Sequence, residues 1–126
     1  MKRVLVDTSV WVDHFSHHND VLARLLALDL VMTHPLILGE IACGTPPNRS
    51  QTLIDLDCLQ QTQQATVREM IAFVEREGAF GLGCGVVDML LLMSAMMTSG
   101  VALWTVDKRL NALAERYNVA FQAAPH

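Results

Sequence analysis

Four acidic residues stand where carboxylates are costly. Asp7 directly follows the apolar run Val4-Leu5-Val6, and Asp107 follows residues 101–105, another apolar run, after one intervening residue. Glu40 lies among Leu, Ile and Ala, and Asp88 sits near the start of a stretch, 86–98, that is otherwise almost wholly apolar. An unpaired carboxylate in such surroundings costs several kcal/mol or is forced to protonate. Each acid has an ordinary explanation. Asp7 can cap a helix near Trp11, Asp88 can gain from a helix dipole, Glu40 can face solvent, and Asp107 can be the N-cap before Lys108. Taken together, a shared divalent cation is the better account. Hard oxygen ligands without a His or Cys cluster favour Mg²⁺ or Mn²⁺ over Zn²⁺, and such an ion turns water into a nucleophile.

Bringing these acids together requires particular elements. Residues 4–6, 30–33, 101–105 and 119–121 read as short buried strands. Helices fit residues 11–15, a segment capped by Asn19 or Asp20, a segment from Pro35 to Gly44, and residues 49–59, 65–77, 86–98 and 108–117. Residues 45–48, with Pro46 and Pro47, form a turn, and Gly78, Gly81, Gly83 and Gly85 form a flexible loop. Apolar strands alternating with helices predict an α/β fold with a parallel sheet covered on both faces. Ligands of such sheets sit beyond the carboxyl ends of the strands. If the first strand and the 101–105 strand are neighbours, Asp7 and Asp107 share that edge.

Composition narrows the class. The 126 residues are 52% hydrophobic and 17% charged, which excludes disorder and coiled coil and predicts one domain over residues 1–126. Aromatics make up 6%, so the core is mainly aliphatic. The net charge of −4 provides no global field for nucleic acid, so binding there must use a local patch, a metal or both. Lys2 and Arg3 precede only three apolar residues before Asp7, too few for a secretory signal. The 86–103 region carries Asp88, Ser94, Thr98, Ser99 and Gly100, which argues against a membrane span. Cys43, Cys58 and Cys84 are odd in number and far apart, and read as free thiols in a reducing cytoplasm.

Other features read more plainly. Gly81, Gly83 and Gly85 fail a dinucleotide fingerprint, because its third glycine position is Val86, so they read as a hinge. His14, His17, His18, His34 and His126 lack ligand spacing. Met89, Met93, Met96 and Met97 crowd one helix as core, with a dimer contact as the functional alternative. Trp104 reads as core, while Trp11 is a candidate for base stacking. Lys108, Arg109 and Arg116 form a basic group after Asp107, either a solvated helix face or a phosphate contact.

Four segments in order resemble the PIN-domain ribonucleases, and among them the VapC toxins of toxin–antitoxin pairs. These are Val4-Leu5-Val6-Asp7-Thr8-Ser9-Val10-Trp11, Leu38-Gly39-Glu40-Ile41, Gly85-Val86-Val87-Asp88 running into 91–95, and Leu103-Trp104-Thr105-Val106-Asp107-Lys108-Arg109-Leu110. The resemblance implies a three-layer α/β/α fold and an acidic pocket for Mg²⁺ or Mn²⁺. It further implies an endoribonuclease acting on tRNA or rRNA, and a homodimer neutralised by a cognate antitoxin. By position, Asp7 and Asp88 are the principal metal ligands, and Glu40 and Asp107 complete the cluster. Thr8, Ser9 and Thr105 match polar positions that support the site or meet phosphate. Many relatives have Arg where this chain has Val106, and others have a second acid where it has Arg109, so the last acid stands alone. The reaction expected is in-line hydrolysis leaving a 5′-phosphate, with Lys108 or Arg109 assisting if one metal serves. Two alternatives are a PIN-like binding module that acts with an antitoxin as a corepressor, and an aspartyl-phosphate phosphoryl-transfer domain. The second usually needs an Asp two places after the first, where this chain has Ser9.

Overall fold

β1 (Arg3–Val6) and β4 (Val101–Trp104) are the most apolar strands, and they pair in parallel through Val4–Ala102, Leu5–Leu103 and Val6–Trp104 in the computed structural model, which describes residues 2–122. β2 (Val31–Thr33) lies on the other side of β1, and β3 (Gln60–Gln61) beyond it. The order is β3-β2-β1-β4, all parallel. The chain steps outward from β1 to β3 and then crosses back past β1 to β4. Right-handed crossovers place the connecting helices of these two journeys on opposite faces. On one face are α1 (Thr8–His17), α2 (Asp20–Ala27), α3 (Pro35–Cys43) and α4 (Arg49–Asp57), with α1 against α3 and α3 against α4. The return journey supplies α5 (Val67–Glu77) and α6 (Val86–Met97), which pack together, and α6 also meets α7 (Lys108–Arg116). The result is the three-layer α/β/α arrangement. Its aliphatic core includes Leu5, Leu22, Ile37, Leu91, Leu103 and Leu110, all fully buried.

Several expectations are corrected in detail. Residues 119–121 do not form a strand. They make a single parallel bridge, Leu103 with Ala120, in which Val119 O accepts from Leu103 N (2.6 Å) and Phe121 N donates to Leu103 O (2.9 Å). β3 was not anticipated, because two exposed glutamines carry no apolar period. α1 begins at Thr8 rather than Trp11, with Asp7 O accepting from Val10 N and Trp11 N. α5 begins at Val67 rather than residue 65, since Thr66 and Glu69 form a reciprocal capping box. Trp11 is buried, so it presents no face for base stacking. Trp104 is half-buried and packs on Phe121 at 4.9 Å between ring centroids. Met89 is core, whereas Met96 and Met97 are exposed. His14, His17 and His18 take local partners, and His126 lies outside the described residues. Among the described residues no helix is long and apolar enough to cross a membrane.

His34 fixes the start of α3, the helix that carries Glu40. Its Nδ1 accepts from Leu36 N at 3.0 Å, and the ring is buried. Accepting at Nδ1 requires a neutral ring, and burial lowers the pKa below the usual histidine value. The unfolded chain therefore takes up a proton at a pH where the folded chain does not. This contribution to stability is full above the unfolded pKa and is lost as pH falls through it. Replacing His34 by Asn keeps an N-cap acceptor and removes the titration. The Tm of His34→Asn should decline less than that of the parent between neutral pH and about pH 5, the range spanning the ordinary histidine pKa, as followed by circular dichroism melts.

Candidate acidic site

Strand order reverses between β1 and β4, and that reversal opens a crevice at their carboxyl ends. Asp7 and Thr105 are the first residues beyond the two strands, and Asp7 N continues the pairing by donating to Trp104 O at 2.9 Å. The Asp7 carboxylate is buried, and its Oδ2 accepts from Thr105 Oγ1 at 2.8 Å and from Ser9 Oγ at 2.7 Å. Both hydroxyls also accept a backbone donor, Thr105 from Asp107 N at 3.1 Å and Ser9 from Val106 N at 3.2 Å. Asp7 is thereby tied to the segment that delivers Asp107.

The other three acids are held less tightly. Asp107 Oδ1 accepts from Arg109 N (2.8 Å) and Leu110 N (3.1 Å), the ordinary N-cap geometry considered above. Thr8 Oγ1 donates to Glu40 Oε1 at 2.6 Å. Asp88 Oδ2 meets Gly85 N only at 3.4 Å. Each carboxylate thus engages one oxygen, and among the described residues the other has no hydrogen-bond partner. None of the four is ion-paired among the described residues.

Asp88 registers the charge of the whole group. Its pKa is raised, first by burial and then by Asp7, Asp107 and Glu40, against a lowering contribution from the Gly85 N–H. Asp7, Asp107 and Glu40 therefore each lie within electrostatic reach of Asp88. The four are not a closed ligand cage: among the described residues no three His, Cys, Asp or Glu side chains lie close enough to hold an ion directly. The expectation of wholly apolar surroundings also needs correction. Asp7 is buried and Asp88 half-buried, but Glu40 and Asp107 are exposed, since α3 turns Ile37 and Ile41 inward and leaves Glu40 outward. Hard donors, each with a free oxygen, fit Mg²⁺ or Mn²⁺ bound by one or two carboxylates with waters completing the shell.

Of the basic group, Arg116 is engaged elsewhere, donating to Glu77 O at 3.0 Å. Lys108 is exposed, and Arg109 lies across Gly83. That last contact joins residues 26 positions apart and has no signal in the sequence. An apolar-walled groove of about 340 Å³, lined by Thr8, Val12, Phe15, Ile41 and Pro46, runs up to Glu40. A somewhat larger hollow, about 380 Å³ around Trp11, Phe15, Leu26 and Leu56, contains none of the four acids and lies outside the site.

A three-layer fold with acids at this crevice is the architecture of a known class. The sequence profile of the PIN domain matches residues 4–116, and the chain belongs to the PIN-domain family. Its VapC character follows from ribonuclease VapC32 of Mycobacterium tuberculosis, represented by strains CDC 1551 / Oshkosh and ATCC 25618 / H37Rv. Both sequences are 39% identical to this chain over 117 residues, covering 93% of it and 94% of the relative.

Crowded like charge has a consequence for stability. An acid whose folded pKa is raised weakens the fold above that pKa, and the penalty disappears as pH falls toward the unfolded value. Metal-free Asp88→Asn should therefore be as stable as the parent or more stable at neutral pH. The gain should be at most about 1 kcal/mol, given solvent screening of a partly exposed charge. The difference should close as pH falls toward the ordinary carboxylate range, as chemical denaturation in EDTA would show. A merely structural first-turn acid would instead lose about 0.3–1 kcal/mol on the same change.

Proposed function

We propose that this chain is a Mg²⁺- or Mn²⁺-dependent endoribonuclease, the toxin of a toxin–antitoxin pair, cleaving tRNA or rRNA. The observation that carries the reading is the tethering of Asp7 at the β1–β4 crevice with Asp88, Glu40 and Asp107 in electrostatic reach. Membership of the PIN-domain family and the kinship with a protein named a ribonuclease support it. In this reading Asp7 and Asp88 hold the ion, with Glu40 and Asp107 acting through its waters. When bound, the cation supplies counter-charge for phosphate and makes water a stronger nucleophile. The Ser9 and Thr105 hydroxyls fix Asp7 Oδ2 and so leave Oδ1 free. Thr8 does the same for Glu40, orienting Oε2. Asp107 presents Oδ2 while its Oδ1 caps α7. Lys108 and Arg109 stand after the acid as donors for phosphate. Hydrolysis in line would leave a 5′-phosphate.

The apolar-walled groove ending at Glu40 supports an antitoxin segment that inserts Lys or Arg among the carboxylates and competes with the cation. Exposed Met96 and Met97 fit a contact in a homodimer. Three free cysteines accord with a cytoplasmic protein over one domain, residues 1–126.

Purified protein should cleave structured RNA in Mg²⁺ or Mn²⁺ and stop in EDTA, with activity restored by excess metal. Asp7→Asn should cleave at least about 100-fold more slowly, the size seen when a charge-stabilising group is lost. Mg²⁺ should raise the Tm of the parent more than that of Asp7→Asn, because binding stabilises by mass action. Undiminished cleavage in EDTA, or equal Tm shifts, would sink the reading.

A further inference from the structure

Arg109, in the first turn of α7, is exposed, yet its side chain does not extend freely away from the protein. Its side chain lies back across the loop that precedes α6. Gly83 has a φ of +83°, and a Cβ placed there would fall 2.6 Å from Arg109 Cδ, 2.7 Å from Nη1 and 3.0 Å from Nε. The stem and guanidinium of Arg109 therefore occupy the space that any other residue at position 83 would fill. Glycine is required twice here, for the left-handed backbone and for the close approach. Gly81, with a φ of +70°, bends the same loop.

The seat stands beside the acidic site. Cys84, next to Gly83, feels Asp88, Asp107 and Arg109 together, the two acids raising its pKa and the arginine lowering it, after the larger effect of burial. Despite these neighbours, the Arg109 guanidinium forms no ion pair and donates no hydrogen bond among the described residues. An arginine near several carboxylates and committed to none keeps its planar fork of donors available. That fork matches a phosphate better than a lysine does. Seating also reduces the side-chain freedom that would otherwise be lost on binding.

We infer that Gly83 is the seat of Arg109 and that the seated guanidinium forms a phosphate subsite, which holds a backbone phosphate flanking the RNA bond to be cut. This rests on the ribonuclease reading above. Gly83 is a positioning residue that acts through Arg109. A methyl group at position 83 meets a flexible side chain, so it moves Arg109 in addition to straining the left-handed backbone of the loop.

The test is a double-mutant cycle of Gly83→Ala and Arg109→Ala, each also made in an Asp7→Asn background so that RNA stays intact. Binding of a short fluorescein-labelled single-stranded RNA is measured by anisotropy across a salt series in Mn²⁺. Arg109→Ala should weaken binding and lower the slope of log K against log salt by about 0.7, one phosphate contact on a single strand. Gly83→Ala should weaken binding by a similar factor. In the cleaving background it should raise KM more than it lowers kcat. With Arg109 already replaced, Gly83→Ala should change RNA affinity and salt slope no further, the strain of its left-handed backbone appearing only as a lower Tm. An unchanged salt slope in Arg109→Ala overturns the subsite, and this arm holds whatever Gly83→Ala does to folding. Effects that multiply in the double variant overturn the seat. If the parent cuts RNA while either result is found, only this inference fails; if the parent cuts no RNA in either metal, the ribonuclease reading fails first.

Discussion

A parallel sheet sends every strand end to the same edge, and here that edge collects negative charge. Asp88 bears the result: burial and three neighbouring acids together make its ionised form costly. Proteins seldom retain such repulsion without a use for it, since an uncompensated carboxylate weakens a fold whose net stability is small. The surrounding polar groups do not neutralise the charge; they aim it. Ser9 and Thr105 clamp Asp7, Thr8 holds Glu40, and the first turn of α7 holds Asp107. Each hold takes one oxygen and leaves the other without a protein donor among the described residues.

The clamp on Asp7 also joins two distant parts of the chain. Thr105 donates to Asp7 and accepts from Asp107 N, while Ser9 donates to Asp7 and accepts from Val106 N. The start of the chain and the segment after β4 thus share one hydrogen-bonded unit. Networks of this kind fix geometry more firmly than separate bonds do, because each donor is also an acceptor.

Much of this was legible in residue order. Asp7 and Asp107 announced themselves by following apolar strands, and strand–helix alternation placed them at one edge. Glu40 was harder, because Leu36, Ile37, Leu38 and Ile41 surround it in sequence and suggest burial all round. Only the turn of α3 separates an inward from an outward face. The Gln60–Gln61 strand escaped notice for a related reason, since it depends on what lies beside it and has no apolar pattern of its own, whereas the apolar residues 119–121 suggest a strand and make only one bridge, at Ala120. The packing of Arg109 on Gly83 joins residues far apart in sequence, and local propensity carries no trace of such a contact. His34 as a cap was likewise hidden, since histidine is not among the usual N-cap residues and gives its acceptor only when neutral.

The two margins of the sheet bear on how copies of this chain can meet. An open strand offers a row of unpaired donors and acceptors to any neighbour, and long, flat, apolar margins invite aggregation. Here the β3 margin is two glutamines long, and the β4 margin is partly occupied by the Leu103–Ala120 bridge. Among the described residues, neither offers a length of backbone sufficient to extend the sheet into a second molecule. Among the described residues, it is thus the helices and not the sheet margins that offer side chains to a second copy, where single substitutions would leave the hydrogen-bonded centre of the fold undisturbed.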